Sequence, residues 1–235
     1  AAMGSEAPIQ TAQQIEFELR AGGTLDYVDI IKNGNLFARF SQLDFPETHE
    51  QTNTIHTLLY LELGWGERNK AFDWNVDFGI DRGRIEAVDA RFRGGEVVSP
   101  LDAAEGSESS FTSAWERSSE SEVRFNTKTH GNPTNSTSAT QGISLEVRAE
   151  PGAEVQLRIN GKEHRVALQE LRQRAFVGYT GGFDSPAFKL HRAPDEQEFI
   201  WSASVSDPDQ SPAYYYLRGR QHNGAWVWSS PVWIE

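Results

Sequence analysis

The chain contains no cysteine and only one methionine among its 235 residues. Without a thiol it can form no disulfide, no thiolate nucleophile and no cysteine zinc site. Cationic side chains are also few: 22 Lys and Arg stand against 34 Asp and Glu, for a net charge of −12. A surface that negative repels nucleic acid and anionic membranes, so neither is expected as a partner. No apolar run approaches the roughly 20 residues that span a bilayer, and membrane insertion is not expected. Residues 1–5 (AAMGS) read as an expression scar, so the missing signal peptide says nothing about compartment. An acidic, Trp-rich, cysteine-free chain fits an exported bacterial protein, periplasmic or extracellular, although the composition is also compatible with the cytoplasm.

What the chain does have is apolar patterning. Hydrophobic residues make up 37% and aromatics 11%, enough to build a core. The length allows one large domain or two ordinary ones. Period two dominates: Ile15, Phe17 and Leu19 alternate with Glu16, Glu18 and Arg20, and Leu59, Leu61, Leu63 and Trp65 form a second such row. Trp74, Val76, Phe78 and Ile80 form a third. Asn33-Gly34, Asn160-Gly161 and Asn223-Gly224 are hairpin signals, because tight turns need the left-handed backbone these residues adopt most easily. Only residues 167–175 (ALQELRQRA) read as a helix.

The expected fold is therefore all-β: two antiparallel β-sandwich-like parts with one short helix. Ser, Glu, Ala and Gly dominate residues 99–122, which read as a loop or linker between a first part at 6–98 and a second at 123–235. A polar stretch at 130–141 reads as a solvated turn.

Catalytic patterns are sparse. The histidines, His49, His56, His130, His164, His191 and His222, show no paired spacing and read as solvated or hydrogen-bonded loop residues; no metal site and no cofactor are expected. Asp207-Pro208-Asp209 could offer oxygens to Ca²⁺, but no further acid completes a cage, so a turn is favoured. No nucleophile elbow occurs, and the glycines at 178–182 (GYTGG) lack the Lys and the following helix of a phosphate-binding loop. No catalytic residue is assigned. Aromatic rings are the distinctive element, with 7 Trp, 6 Tyr and 13 Phe. Strand patterning places Trp65, Trp74, Trp228 and Trp233 in the core. Trp115, in the Ser/Glu loop, and Trp226, beside a turn, are expected to be exposed. With Tyr214 and Tyr216 they are the candidate ligand-binding aromatics, since exposed rings stack on sugars.

Several segments carry a resemblance: residues 61–66 (LELGWG), 92–101 (FRGGEVVSPL), 125–134 (FNTKTHGNPT), 183–194 (FDSPAFKLHRAP) and, most specific, 214–234 (YYYLRGRQHNGAWVWSSPVWI). Together they resemble the C-terminal all-β region of bacterial proteins carrying a polymerase-and-histidinol-phosphatase-like metallohydrolase domain. The resemblance implies an accessory region; the metal-ligand motifs of that domain are not among these residues. The expected function is a non-catalytic accessory or interaction module of a larger bacterial protein. Its expected partner is the parent protein's catalytic domain or a polysaccharide. Carbohydrate binding through exposed Trp and Tyr is the first alternative, and a metal-dependent phosphoesterase-like hydrolase the second.

Overall fold

The structure, a computed structural model, describes residues 4–45, 53–64, 70–92, 113–129, 140–182 and 185–235. In chain order its strands are β1 (Glu6–Ala7), β2 (Gln13–Arg20), β3 (Leu25–Lys32), β4 (Asn35–Ser41), β5 (Ile55–Gly64), β6 (Phe72–Ile80), β7 (Gly83–Arg91), β8 (Ala114–Arg117) and β9 (Glu122–Thr129). There follow β10 (Gln141–Ala149), β11 (Glu154–Ile159), β12 (Lys162–Ala167), β13 (Phe176–Tyr179) and β14 (Ala187–Leu190). The last are β15 (Ile200–Asp207), β16 (Ala213–Gln221), β17 (Trp226–Trp228) and β18 (Val232–Ile234). The fold is all-β, with a single α-helical turn, α1 (Leu168–Leu171), among the described residues.

Two compact units form, but the chain does not divide at residues 99–122. Unit 1 joins Ala1–Gln51 to Pro194–Glu235, and unit 2 is the continuous Thr52–Ala193 between them. One sandwich is thus inserted between β4 and β15 of another. Of the expected linker, residues 99–112 lie outside the described residues, whereas Ala114–Arg117 is strand β8, paired with β9 in the unit 2 sheet.

Unit 1 consists of a β15-β2 ribbon and a larger sheet in the order β1-β18-β16-β3-β4, with β17 also on β16. Alternation in β2 and β15 sends Ile15, Phe17, Leu19, Trp201, Ala203 and Val205 to one face, because paired residues share a side. Phe17 meets Phe40 at 5.2 Å, and Trp201 and Phe199 are fully buried. Asn33 (φ 50°) and Gly34 (φ 81°) turn β3 into β4, as the backbone preferences of Asn-Gly predict.

Unit 2 packs the sheet β13-β14-β5-β10-β7 against β12-β11-β6-β9-β8. Leu59, Leu61, Leu63, Ile143, Leu145 and Val147 face Trp74, Val76, Phe78, Phe125, Val155 and Leu157 in one continuous core. Trp74 is buried as expected and donates to Thr129 Oγ1 at 3.0 Å. Trp65 lies outside the described residues. The helix spans four residues rather than 167–175. Only Leu168 and Leu171 reach the core, and a helix so short persists only where packing holds it.

The same polar device occurs on an interior strand of one sheet in each unit. Asp29 on β3 lies across from Arg39 on β4 and Arg218 on β16. Asp77 on β6 lies across from Arg124 on β9 and Arg158 on β11. Each carboxylate is buried and gripped from both sides.

Candidate functional site

The candidate surface grows from β16, whose sequence AYYYLRGRQ alternates between two faces. Tyr215, Leu217 and Gly219 turn inward; Tyr214, Tyr216, Arg218 and Arg220 turn outward. Register then fixes what joins them. Trp233 of β18 lies opposite Tyr214, while Trp228 and Trp226 of β17 lie opposite Arg218 and Arg220. Asp29 and Tyr27 of β3 pair with Arg218 and Arg220, and Arg39 of β4 pairs with Asp29. The outer face therefore bears a band of tryptophan, tyrosine and arginine along β16, roughly 20 Å from residue 214 to residue 220.

Its rings touch one another and the guanidinium groups between them. Trp226 stacks on Trp228 at 5.5 Å, and Tyr27 meets Trp226 edge-on at 5.9 Å. Tyr214 packs against Trp233 at 4.9 Å and runs parallel to Tyr216 at 6.5 Å. Arg220 and Arg218 lie 5.4 and 5.9 Å from the Trp226 ring, and Arg39 sits over Tyr27 at 4.1 Å. Such cation–π contacts hold an exposed ring still without burying it.

The arginines are themselves anchored below the rings. Arg39 donates to Asp29 through Nε at 2.6 Å and Nη2 at 3.0 Å. Arg218 donates through Nη2 at 2.6 Å and Nε at 3.2 Å. Burial pushes the Asp29 carboxyl up, but the bonds from Arg39 and Arg218 outweigh it and hold its pKa below the ordinary value. Asp29 stays an anion, and each arginine spans from it to an aromatic ring.

Of the sequence candidates, Trp226, Tyr214 and Tyr216 come together on this face; Trp226 is 41% exposed and the two tyrosines are half-buried. Trp115 is exposed on β8 of unit 2 and belongs to no such cluster among the described residues. Two expectations are corrected: Trp228 is 58% and Trp233 43% exposed, so neither is a core residue. Strand alternation is real in both, but the face it selects points outward. Tyr27, Arg39, Arg218 and Arg220 were not among the sequence candidates. The spacing Tyr-x-Arg-x-Arg at 216–220 set against Trp-x-Trp at 226–228 was the available signal.

Several polar groups singled out in the sequence have structural partners. Asp207 and Asp209 are both engaged by a lysine: Lys32 Nζ lies 2.7 Å from a carboxylate oxygen of each. The Lys32 bond and backbone donation hold Asp209 down to about 2. Burial and its bond to Asp207 push Tyr215 up to about 12. His56 is no loop residue but is buried on β5, 2.7 Å from Glu146, and His191 pairs with Glu62 at 2.8 Å. His222 lies in the β16–β17 turn, whereas His49 and His130 lie outside the described residues. Among the described residues, no group of three or more His, Asp or Glu could hold a metal ion.

Comparison with other proteins gives partial matches. Uncharacterized proteins of Chlamydia trachomatis and Chlamydia muridarum are each 31% identical over 104 residues, and one of Chlamydia pneumoniae is 32% identical over 106. The matched stretch is 42–43% of this chain and only 16–17% of those proteins. The chain thus matches about a sixth of the length of these relatives. It matches no protein-family model and no solved structure.

Proposed function

We propose that this chain is a non-catalytic accessory module of a longer polypeptide, and that the Trp-Tyr-Arg face of unit 1 docks onto another domain of that polypeptide. The observation that carries this reading is the composition of the face. Trp, Tyr and Arg are the residues that dominate binding energy at protein interfaces, and here they lie contiguous, exposed and already ordered. Pre-anchored side chains lose little entropy on binding, which favours affinity. The length of the chlamydial relatives supports a setting in which a module of this kind has neighbours in the same chain. The resemblance to the β region of metallohydrolase-bearing proteins points to a catalytic domain as that neighbour.

Glycan stacking needs an open ring face, and Trp226 has Trp228 stacked on it and two guanidinium groups close by. That ranks protein docking above polysaccharide binding.

Oxidative footprinting of the tryptophans tests the proposal, comparing this chain with the full polypeptide encoded by its reading frame. Trp226, Trp228 and Trp233 are expected to oxidise readily in the isolated chain and to be protected several-fold in the full polypeptide. Equal oxidation in both refutes docking. Retardation of this chain in a polysaccharide gel, lost in Trp228→Ala, would replace docking with glycan binding.

A further inference from the structure

Unit 2 contains a cavity of about 550 Å³ that the docking face does not involve. It opens where edge strands β12 and β13 meet the ends of β6 and β11, and its size suits a small organic ligand. Its chemistry departs from the rest of the sandwich. Register pairs Ile159 with Lys162, Leu157 with His164 and Val155 with Val166. Positions 162, 164 and 166 therefore share the core-facing side of β12 with three buried aliphatics. Only Val166 obeys that pattern; a lysine and a histidine occupy the other two positions. Such breaks of apolar patterning concentrate at functional sites.

The polar intruders are held in place. His164 packs edge-on against Phe188 at 4.9 Å and lies 6.0 Å from Phe176. Phe188 in turn lies across Gly178, where a Cβ would come within 2.2 Å of the ring, so glycine there lets the aromatic wall approach. Lys162 Nζ donates to the Thr180 carbonyl at 2.6 Å, which places its charge at the mouth beside the β13–β14 turn. That turn carries the glycine-rich segment that lacks a lysine in sequence; the fold brings one to it from β12. Lys70 also lines the cavity, and Phe72, Phe188 and Tyr179 supply apolar surface. On a chain of net charge −12, the described lining residues include two lysines and a histidine and no carboxylate. Burial lowers the His164 pKa, so the ring is neutral near pH 7 and can donate or accept a hydrogen bond.

We propose that this cavity binds a small organic anion, with a carboxylate or phosphate held by Lys162 and Lys70 and an apolar body lying against Phe72, Phe188 and Tyr179. Both anion types share the same recognition, a charge-assisted contact with an ammonium group beside an aromatic wall. This inference is independent of the docking face.

The test uses the intact chain, with benzoate and phenyl phosphate as anionic probes and benzyl alcohol as the neutral control. Binding is followed by amide chemical shifts and titration calorimetry at low salt. At least one anion is expected to shift amides in residues 70–72, 159–164 and 178–182 and to bind about tenfold more tightly than benzyl alcohol. Lys70→Met and Lys162→Met keep the aliphatic stems and should each weaken the anion about five- to tenfold. Lys162→Met also loses the Thr180 bond, so the affinity for benzyl alcohol, which should be unchanged in both variants, separates loss of charge from loss of the cavity. The proposal is overturned if neither anion binds at 10 mM, if benzyl alcohol binds equally well, or if Lys70→Met leaves affinity unchanged.

Discussion

Replacing Asp29 by Asn keeps the size of the side chain and removes the charge that both Arg39 and Arg218 grip. The carboxylate is fully buried and takes four hydrogen bonds between 2.6 and 3.2 Å. Removing one member of a buried ion pair costs about 3–5 kcal/mol when the remaining charge is stranded. Here the side chains left behind are 47% and 33% exposed, so water re-solvates much of their charge. A loss of about 2–3 kcal/mol is therefore expected, concentrated in unit 1. Urea unfolding followed by tryptophan emission measures it, with Asp77→Asn reporting the equivalent loss in unit 2. The direction with pH follows from the lowered pKa of Asp29. Its contribution is complete above the unfolded carboxylate value of about 3.9 and is lost as pH falls through the lower folded value. Asp29→Asn should accordingly lose less stability than the parent between about pH 5 and 2. The Trp226 side chain should also become more mobile once Arg218 loses its anchor. If Asp29→Asn unfolds within about 0.5 kcal/mol of the parent, the idea that this carboxylate organises the face is wrong.

Trp228→Ala should cost about 1 kcal/mol or less, because that ring is more than half exposed, whereas Trp201→Ala should cost about 3–5 kcal/mol; calorimetric melting of the two variants checks the contrast. Lys32→Met leaves buried Asp207 without its cation and should destabilise unit 1 by about 2–4 kcal/mol, read by urea unfolding. His164→Phe should flatten the pH dependence of unit 2. With a folded pKa lowered by burial, the histidine keeps its stabilising contribution above the unfolded value of about 6.5 and loses it as pH falls below that, and phenylalanine cannot titrate. Melting temperatures at pH 7.5 and 5.5 check this, and equal drops in parent and variant would contradict it.

Much of the fold is readable residue by residue. The rows Ile15-Phe17-Leu19 and Trp74-Val76-Phe78-Ile80 form the strands they predict, since side-chain alternation is a local property. Asn33-Gly34 and Asn160-Gly161 turn as their backbone preferences require. At the third hairpin only Gly224 is left-handed (φ 84°), within a wider turn, and the dipeptide alone does not distinguish the two geometries. The discontinuity of unit 1 escaped because it depends on pairing Lys32 with Tyr215, and no local pattern encodes a partner so distant. Trp228 and Trp233 were misplaced for a related reason. Period two states that alternate residues share a face, and only the assembled sheet decides which face meets water. His56 was missed because its partner Glu146 lies on another strand.

The nested arrangement of the units has a consequence for how the chain is made. During synthesis β1 to β4 emerge before unit 2, but the strands that complete their sheet and ribbon follow only after residue 193. Unit 2 is contiguous and can fold as soon as it clears the ribosome. In doing so it collapses the long connection between β4 and β15 and reduces the entropy lost when they join. Until then the early strands have unsatisfied backbone edges, the state most open to mispairing and proteolysis. A nascent chain stalled before Pro194 should therefore present a protease-resistant unit 2 preceded by a digestible segment carrying β1 to β4.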